Sequence, residues 1–189
     1  MSGPGHQTDF QLIQRYRRGA PEAMEELVER YQQRLFGFVC KAAASRQEAE
    51  DIYQETWLRI VKNIDRYHDQ CFSAWLFRIA RNLMIDRRRA WRDIASLDRP
   101  NEAGGTLQDI LPDAAPGPDA RVADRDLRAR LEDAARALPA EQREVFQLRL
   151  DGGLSFKEIA AVQEVSINTA LARMQYALVK LRSTLKLDD

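Results

Sequence analysis

The chain has 189 residues, 29 of them Lys or Arg and 29 Asp or Glu, so its formal net charge is zero. Hydrophobic residues make up 44% and charged residues 31%, a balance that excludes an intrinsically disordered chain, and no stretch approaches the ~20 consecutive apolar residues that span a bilayer. The polar start from Met1 to Thr8 has no basic segment leading into an apolar run, so the chain reads as cytoplasmic, and its neutrality argues against binding nucleic acid by bulk electrostatics.

Taken in chain order, the pattern is helical throughout. Thr8-Asp9-Phe10-Gln11 fits a capping box that opens a first helix, which Gly19 can close. Pro21 suits the first turn of a second, with Met24, Leu27, Val28, Tyr31, Leu35 and Val39 at helical spacing. Ser45-Arg46-Gln47-Glu48 is another capping box, and the helix it opens carries Ala49, Ile52, Thr56, Trp57, Ile60 and Ile64 on one stripe. A fourth helix is predicted from about Ser73 to Arg92.

Neutrality dissolves when charge is counted by segment. Residues 1–95 carry net +3, 96–126 net −4 and 127–189 net +1. The middle segment also holds Pro100, Gly104, Gly105, Pro112, Pro116, Gly117 and Pro118, and reads as an acidic linker between two domains, 1–95 and 127–189. One short amphipathic patch interrupts it, Leu107 to Leu111. Beyond the linker, Pro139 to Leu150 forms a helix stopped by Gly152-Gly153, Ser155-Phe156-Lys157-Glu158 caps a short helix, and Ser166 caps a last one reaching about Lys186. No alternating strand pattern competes.

The fourth helix carries the strongest chemical signal. From Arg78 to Arg92 there are six Arg and one Asp. On a wheel at ~100° per residue, Trp75, Arg78, Arg81, Asn82, Arg88, Arg89 and Arg92 share one face, and Leu76, Ile79, Ala80, Leu83 and Ala90 the other. Arg pairs with phosphates, Asn reads a base edge and Trp stacks on an unpaired base. A solvated charged face is the bland alternative.

Residues 155–176 have the layout of a helix-turn-helix. Ala160 fits a close helix crossing, Val165, Ala170, Leu171 and Met174 are placed beneath, and Asn168, Thr169, Ala172 and Arg173 are offered to the major groove. An ordinary helical hairpin has the same pattern. On the third helix, Asp51, Gln54, Glu55 and Leu58 oppose the apolar stripe; they either solvate the surface or meet a basic partner helix.

Catalysis finds little support. His6 and His68 are the only histidines, His68-Asp69-Gln70-Cys71 is half a zinc site with no second pair, and no phosphate-cradling loop or nucleophile elbow appears. Cys40 and Cys71 make no CxxC motif, and Cys40 reads as core. No cofactor or metal is expected. Two function classes fit these motifs: a dimeric helix-turn-helix repressor acting on duplex DNA alone, and a nucleic-acid-modifying enzyme that uses the Arg helix as a clamp.

The run from Glu48 to Arg59 (EAEDIYQETWLR), with Ala74 to Asn82 (AWLFRIARN) and Asp86-Arg87-Arg88-Arg89, resembles the second conserved region of extracytoplasmic-function (ECF) sigma factors. Leu138 to Phe146 (LPAEQREVF), followed by Ser155 to Ala160 (SFKEIA), resembles their fourth region. The resemblance covers about residues 8–186 and implies an all-α fold of two small helical domains, a four-helix region 2 and a helix-turn-helix region 4. It implies a non-enzymatic initiation factor that joins core RNA polymerase and melts promoter DNA. By the same resemblance, Asp51, Gln54, Glu55 and Leu58 would meet the β′ clamp helices. Trp75, Arg78, Arg81, Asn82, Arg88 and Arg89 would engage the −10 element, and the loop from about Arg66 to Phe72, with His68 and Asp69, would hold a flipped base. Ser166, Asn168, Thr169, Ala172 and Arg173 would read the −35 element, with the β-flap touching the same domain.

An anti-sigma factor is common in the family. Leu171 and Ala172 depart from its usual basic residue and Ser, and Glu164 replaces the usual turn Gly. If the turn needs positive φ there, Glu costs about 1 kcal/mol. The residues after the last helix are expected to be too few for a further sensing domain.

Overall fold

The computed structural model describes residues 7–68, 71–97 and 129–185, without the side chains of 92–97. Among them are eight α-helices and one 3-10 turn, with no strand. The chain divides between Gln108 and Asp109 into two compact units. The expected linker lies outside the described residues from position 98 onward, as do its amphipathic patch and His6.

In the first unit, α1 (Asp9–Arg17) opens on the expected capping box: Thr8 Oγ1 accepts from the Gln11 amide at 3.3 Å, and Gln11 Oε1 accepts from the Thr8 amide at 2.9 Å. Gly19, at φ +93°, turns the chain where a side chain would be strained. Leu12 and Ile13 are buried against α2 (Glu22–Cys40), and Asp9 ties the two helices by accepting from Arg30 Nη1 at 2.6 Å and the Tyr31 hydroxyl at 2.5 Å. The expected α2 stripe faces inward, with Val28 only half-buried. Cys40, expected in the core, is half-buried at the end of that helix, where burial still pushes its thiol up.

Burial, and then the bond to Asp9, hold the Tyr31 phenol well above its usual value of 10.0. The folded state therefore keeps a proton that the unfolded chain loses, and stability must fall as pH rises through about 10. Urea midpoints measured upward from about pH 8 should drop more steeply for the wild type than for Tyr31→Phe. Parallel curves would count against the assignment.

Helix α3 (Arg46–Asn63) is capped by Ser45, whose Oγ accepts from the Glu48 amide at 3.1 Å. The Glu48 carboxylate reaches one residue further back than the expected box, to the Ala44 amide at 2.6 Å. All six residues of the α3 apolar stripe are buried, Thr56 satisfying its hydroxyl on the Ile52 carbonyl at 2.7 Å. A 3-10 turn (Ile64–Arg66) follows, and the Arg17 guanidinium from α1 clamps it, donating to the carbonyls of Ile64 and Tyr67. Helix α4 (Phe72–Leu97) runs about five residues beyond the expected end, because nothing before Pro100 can stop it. Its buried face, Leu76, Phe77, Ala80, Leu83 and Met84, packs the unit together, with Phe77 against Phe38 at 5.4 Å between ring centres.

The second unit contains α5 over 129–136, α6 (Ala140–Leu150), α7 (Phe156–Gln163) and α8 (Ile167–Leu185). Helix α5 is not among the elements predicted above; Leu131, Ala134, Ala135 and Leu138 carry the helical spacing, but two alanines make a faint stripe. These residues join Phe146, Met174, Ala177, Leu181 and Leu185 in one core. Ser155 forms the full capping box with Glu158, and Ser166 Oγ accepts from the Thr169 amide at 3.1 Å.

Between α7 and α8, Glu164 has φ 57° and ψ 43°, and the Val165 amide returns to the Ala160 carbonyl at 3.0 Å. The left-handed turn is thus made by a residue with a Cβ. Glu164→Gly should stabilise this unit by about 0.5–1 kcal/mol. All three tryptophans, Trp57, Trp75 and Trp91, lie in the first unit. The variant should therefore shift the far-UV circular dichroism transition of the full chain and leave the tryptophan fluorescence transition in place.

Candidate nucleic-acid and partner interfaces

The start of α4 is built on aromatic rings. Phe72 is buried and meets Tyr31, Trp57, Tyr67 and Trp75 at centroid distances of 5.5, 6.5, 6.1 and 6.0 Å. On this base Tyr67 and Trp75 stack, 4.8 Å apart with planes 26° from parallel. Trp75 is half-buried in consequence, with one ring face already covered by Tyr67. The helical wheel placed Trp75 on the exposed face without this partner, which comes from the loop before the helix.

Beside the stack lies an open cleft of about 420 Å³, lined by Arg59, Asn63, Arg66, Tyr67, His68, Trp75, Arg78 and Ile79. Among the described residues no acidic side chain lines it. Three arginines around two stacked rings offer phosphate pairing next to an aromatic wall. Tyr67 falls in the loop from about Arg66 to Phe72 that the resemblance points to, without a role of its own there, whereas Arg59 and Asn63 are not singled out by the sequence. Arg59 and Asn63 were legible as an i, i+4 pair on α3, where Asn63 Nδ2 donates to the Arg59 carbonyl at 2.9 Å. Ile79 was expected on the packed face but is half-buried in the cleft wall, only ~40° from Trp75 around the helix.

Further along α4, Arg78 and Arg81 are half-buried, and Asn82, Arg88 and Arg89 are exposed. Ala90, expected to pack, is exposed because α4 overruns the core at that end. The side chain of Arg92 and all of Asp69 lie outside the described residues. With one Asp among the six Arg of this stretch, two of the arginines find contacts outside their own helix: Arg87 Nη1 meets Asp51 Oδ2 at 3.6 Å, and Arg88 Nη2 donates to the Ala42 carbonyl at 3.3 Å. His68 is exposed at the cleft mouth, and Cys71 is exposed with Sγ 2.9 Å from Ser73 Oγ.

On the outer face of α3, Asp51 and Gln54 are exposed, Glu55 is half-exposed, and Leu58 is 52% exposed. Val61 extends the same edge. The Arg59 guanidinium, 2.9 Å away, holds the Glu55 carboxyl below its usual range, so the negative charge survives mild acidification. An apolar side chain among carboxylates suits a partner helix with the opposite charge and its own apolar seam.

On α8, Ser166, Asn168 and Thr169 are exposed, whereas Ala172 and Arg173 are half-buried. Leu171, expected beneath the turn, is exposed. The inward positions are Ala170, Met174, Ala177, Leu181 and Leu185, and Leu171 lies one residue, about 100°, round the helix from Ala170.

The sigma-70 region 2 family matches residues 27–94, and the sigma-70 region 4 family matches 128–181. RNA polymerase sigma factor CarQ of Myxococcus xanthus is 32% identical over 174 residues, which cover 92% of this chain and 95% of that one. The chain belongs to the ECF sigma factors. The ECF RNA polymerase sigma-E factor of Escherichia coli is 29% identical over 175 residues, covering 88% of each. CnrH, solved in complex with the cytosolic domain of CnrY, aligns over 96% of this sigma factor and 99% of its own chain, with TM-score 0.67 and 26% identity. The sigma factor RpoE of Bartonella quintana, solved with the anti-sigma factor NepR, shares the fold at TM-score 0.69 and 24% identity over 87% of this chain and 98% of its own.

Membership assigns this sigma factor to promoter-specific transcription initiation, the work of a non-catalytic family. The cleft, the Arg face of α4 and the α3 stripe all fall inside the region 2 match, and the helix-turn-helix inside the region 4 match. Among the described residues, no helix is long and apolar enough to cross a membrane.

Proposed function

We propose that this sigma factor docks on core RNA polymerase through Asp51, Gln54, Glu55 and Leu58, and that its basic aromatic cleft captures a base of the −10 element. The stacked Tyr67–Trp75 pair walling an arginine-lined cleft carries the reading. A strand whose base leaves the duplex needs a stacking surface and cations for its phosphates, and both converge there. Melting then proceeds by trapping an unstacked base, with no chemistry by this chain. The loop of His68 and Asp69 borders the captured base, and Arg78, Arg81, Asn82, Arg88 and Arg89 guide the adjoining DNA.

Region 4 supplies the second contact, with Ser166, Asn168, Thr169, Ala172 and Arg173 toward the −35 element and the same domain against the β-flap. The two readers lie in domains 1–95 and 127–189, joined by the acidic linker 96–126. Each reader is weak alone, and polymerase raises their effective concentration for one promoter. We assign the chain to the cytoplasm, with no enzymatic activity and no cofactor. A regulator of the anti-sigma class, such as the one bound to the Bartonella quintana sigma factor, is the further partner proposed here.

The test mixes purified protein with core polymerase and promoter DNA carrying a fluorescent base analogue in the −10 element. Complex formation, analogue unstacking and a defined start site are expected, all dependent on polymerase. Tight binding to duplex operators alone, with no association to polymerase, would instead identify a repressor.

A further inference from the structure

Three helices of region 4 are joined by one buried amide. Gln163, the last residue of α7, is 6% exposed. Its Nε2 donates to the Glu144 carboxylate at 2.6 Å and to the Glu141 carbonyl at 3.3 Å, both on α6. Its Oε1 accepts from Arg173 Nη1 at 2.9 Å, on α8. The chemistry of these partners decides which way the amide faces. Reversed, its NH2 would meet a guanidinium and its oxygen a carboxylate.

Arg173 belongs to the second turn of α8, close in sequence to the exposed Asn168 and Thr169. An unrestrained arginine surrenders rotamer freedom when it contacts DNA, whereas one already held has surrendered it on folding. A guanidinium has five N–H donors, so one bond to Gln163 leaves capacity for a phosphate or a base. Because Gln163 is buried and anchored on α6, it holds Arg173 against a rigid support rather than against a mobile side chain.

We infer that Gln163 is a positioning residue for −35 recognition, directing the Arg173 guanidinium toward DNA and coupling α6 to the recognition helix. This rests on the reading that α8 contacts the −35 element. Glu144 sets the polarity of the relay: its carboxylate orients the Gln163 NH2, which leaves the oxygen for Arg173.

The experiment uses full-length protein bound to core polymerase. Two promoters are compared, one selected by that holoenzyme from a randomised library and one identical except for a scrambled −35 element. Gln163→Met should reduce discrimination between them by about tenfold, as expected for loss of a preorganised contact, and should initiate from the scrambled promoter like the wild type. Arg173→Ala should reduce discrimination at least as much, with the double variant no worse than Arg173→Ala alone. Gln163→Glu keeps an acceptor for Arg173 but opposes Glu144, so it should keep discrimination while melting at a lower temperature.

Equal losses on both promoters, or a loss in Gln163→Met that adds fully to that of Arg173→Ala, would overturn the inference. So would unchanged discrimination in Arg173→Ala while Asn168→Ala or Thr169→Ala loses it, and the −35 reading itself would survive that result. If no α8 variant changes discrimination, that reading fails as well.

Discussion

Reversing the charge of Asp51 and Glu55 together, as Asp51→Arg plus Glu55→Arg, should weaken core polymerase binding by at least about a hundredfold and leave the fold intact. On the proposed docking, each substitution replaces an attraction to a basic partner helix by a repulsion, and like charges across an interface cost on the order of several kcal/mol. The fold has little to lose at these positions. Asp51 is exposed, and its contact with Arg87 spans 3.6 Å at the surface. Glu55 bonds Arg59 one turn away on the same helix, and exposed pairs of this kind contribute little to stability. Affinity by fluorescence anisotropy and the melting temperature of the free protein separate the two effects. Wild-type affinity in the double variant would remove α3 from the docking face.

Phe72→Ala should destabilise region 2 by about 3–5 kcal/mol, a large share of the ~5–15 kcal/mol that holds a domain together. The ring is buried among Tyr31, Trp57, Tyr67 and Trp75, and its removal leaves a void under the Tyr67–Trp75 stack. Phe72→Leu refills most of that volume and should cost less than about 1.5 kcal/mol. Urea unfolding followed by tryptophan fluorescence reads region 2 selectively, since Trp57, Trp75 and Trp91 all belong to it. Under conditions where Phe72→Leu stays folded, promoter opening should fall while polymerase binding holds, because the proposed docking residues are on α3 and the stack is not. A loss below about 1 kcal/mol in Phe72→Ala would mean the cluster tolerates the void and the platform is not its work.

Zero net charge over the whole chain first argued against a nucleic-acid partner. Counted by segment, a compact cationic stretch on α4 stands apart from an acidic 96–126, and the neutral total only averages them. What the total still implies is that the chain alone holds DNA weakly, because phosphate contacts dominate affinity. On the proposed reading, polymerase supplies what bulk charge does not.

Much of the fold was legible because its signals are local. Thr8, Ser45, Ser155 and Ser166 each accept from an amide three residues on, a distance within one turn. The α2 and α3 stripes recur at helical spacing, which burial on one side of a helix requires. Glu164 stood where a glycine is usual, and its positive φ follows from the turn between two helices. These features let the sequence by itself determine an all-α chain with two helical domains and a cationic α4.

Only the tertiary structure decided which side chains meet across helices. Tyr67 covers one face of Trp75, Arg17 clamps a turn 47 residues away, Arg87 reaches Asp51, and Gln163 joins α6 to Arg173. Nor could periodicity show that Ala90 overhangs the core or that Leu171 is exposed, since a wheel gives direction around a helix but not where its neighbour ends. Caps and stripes depend on residues within a few positions of one another. The cleft and the Gln163 relay depend on packing that brings distant residues within hydrogen-bonding or stacking range, and that is set by the whole domain at once.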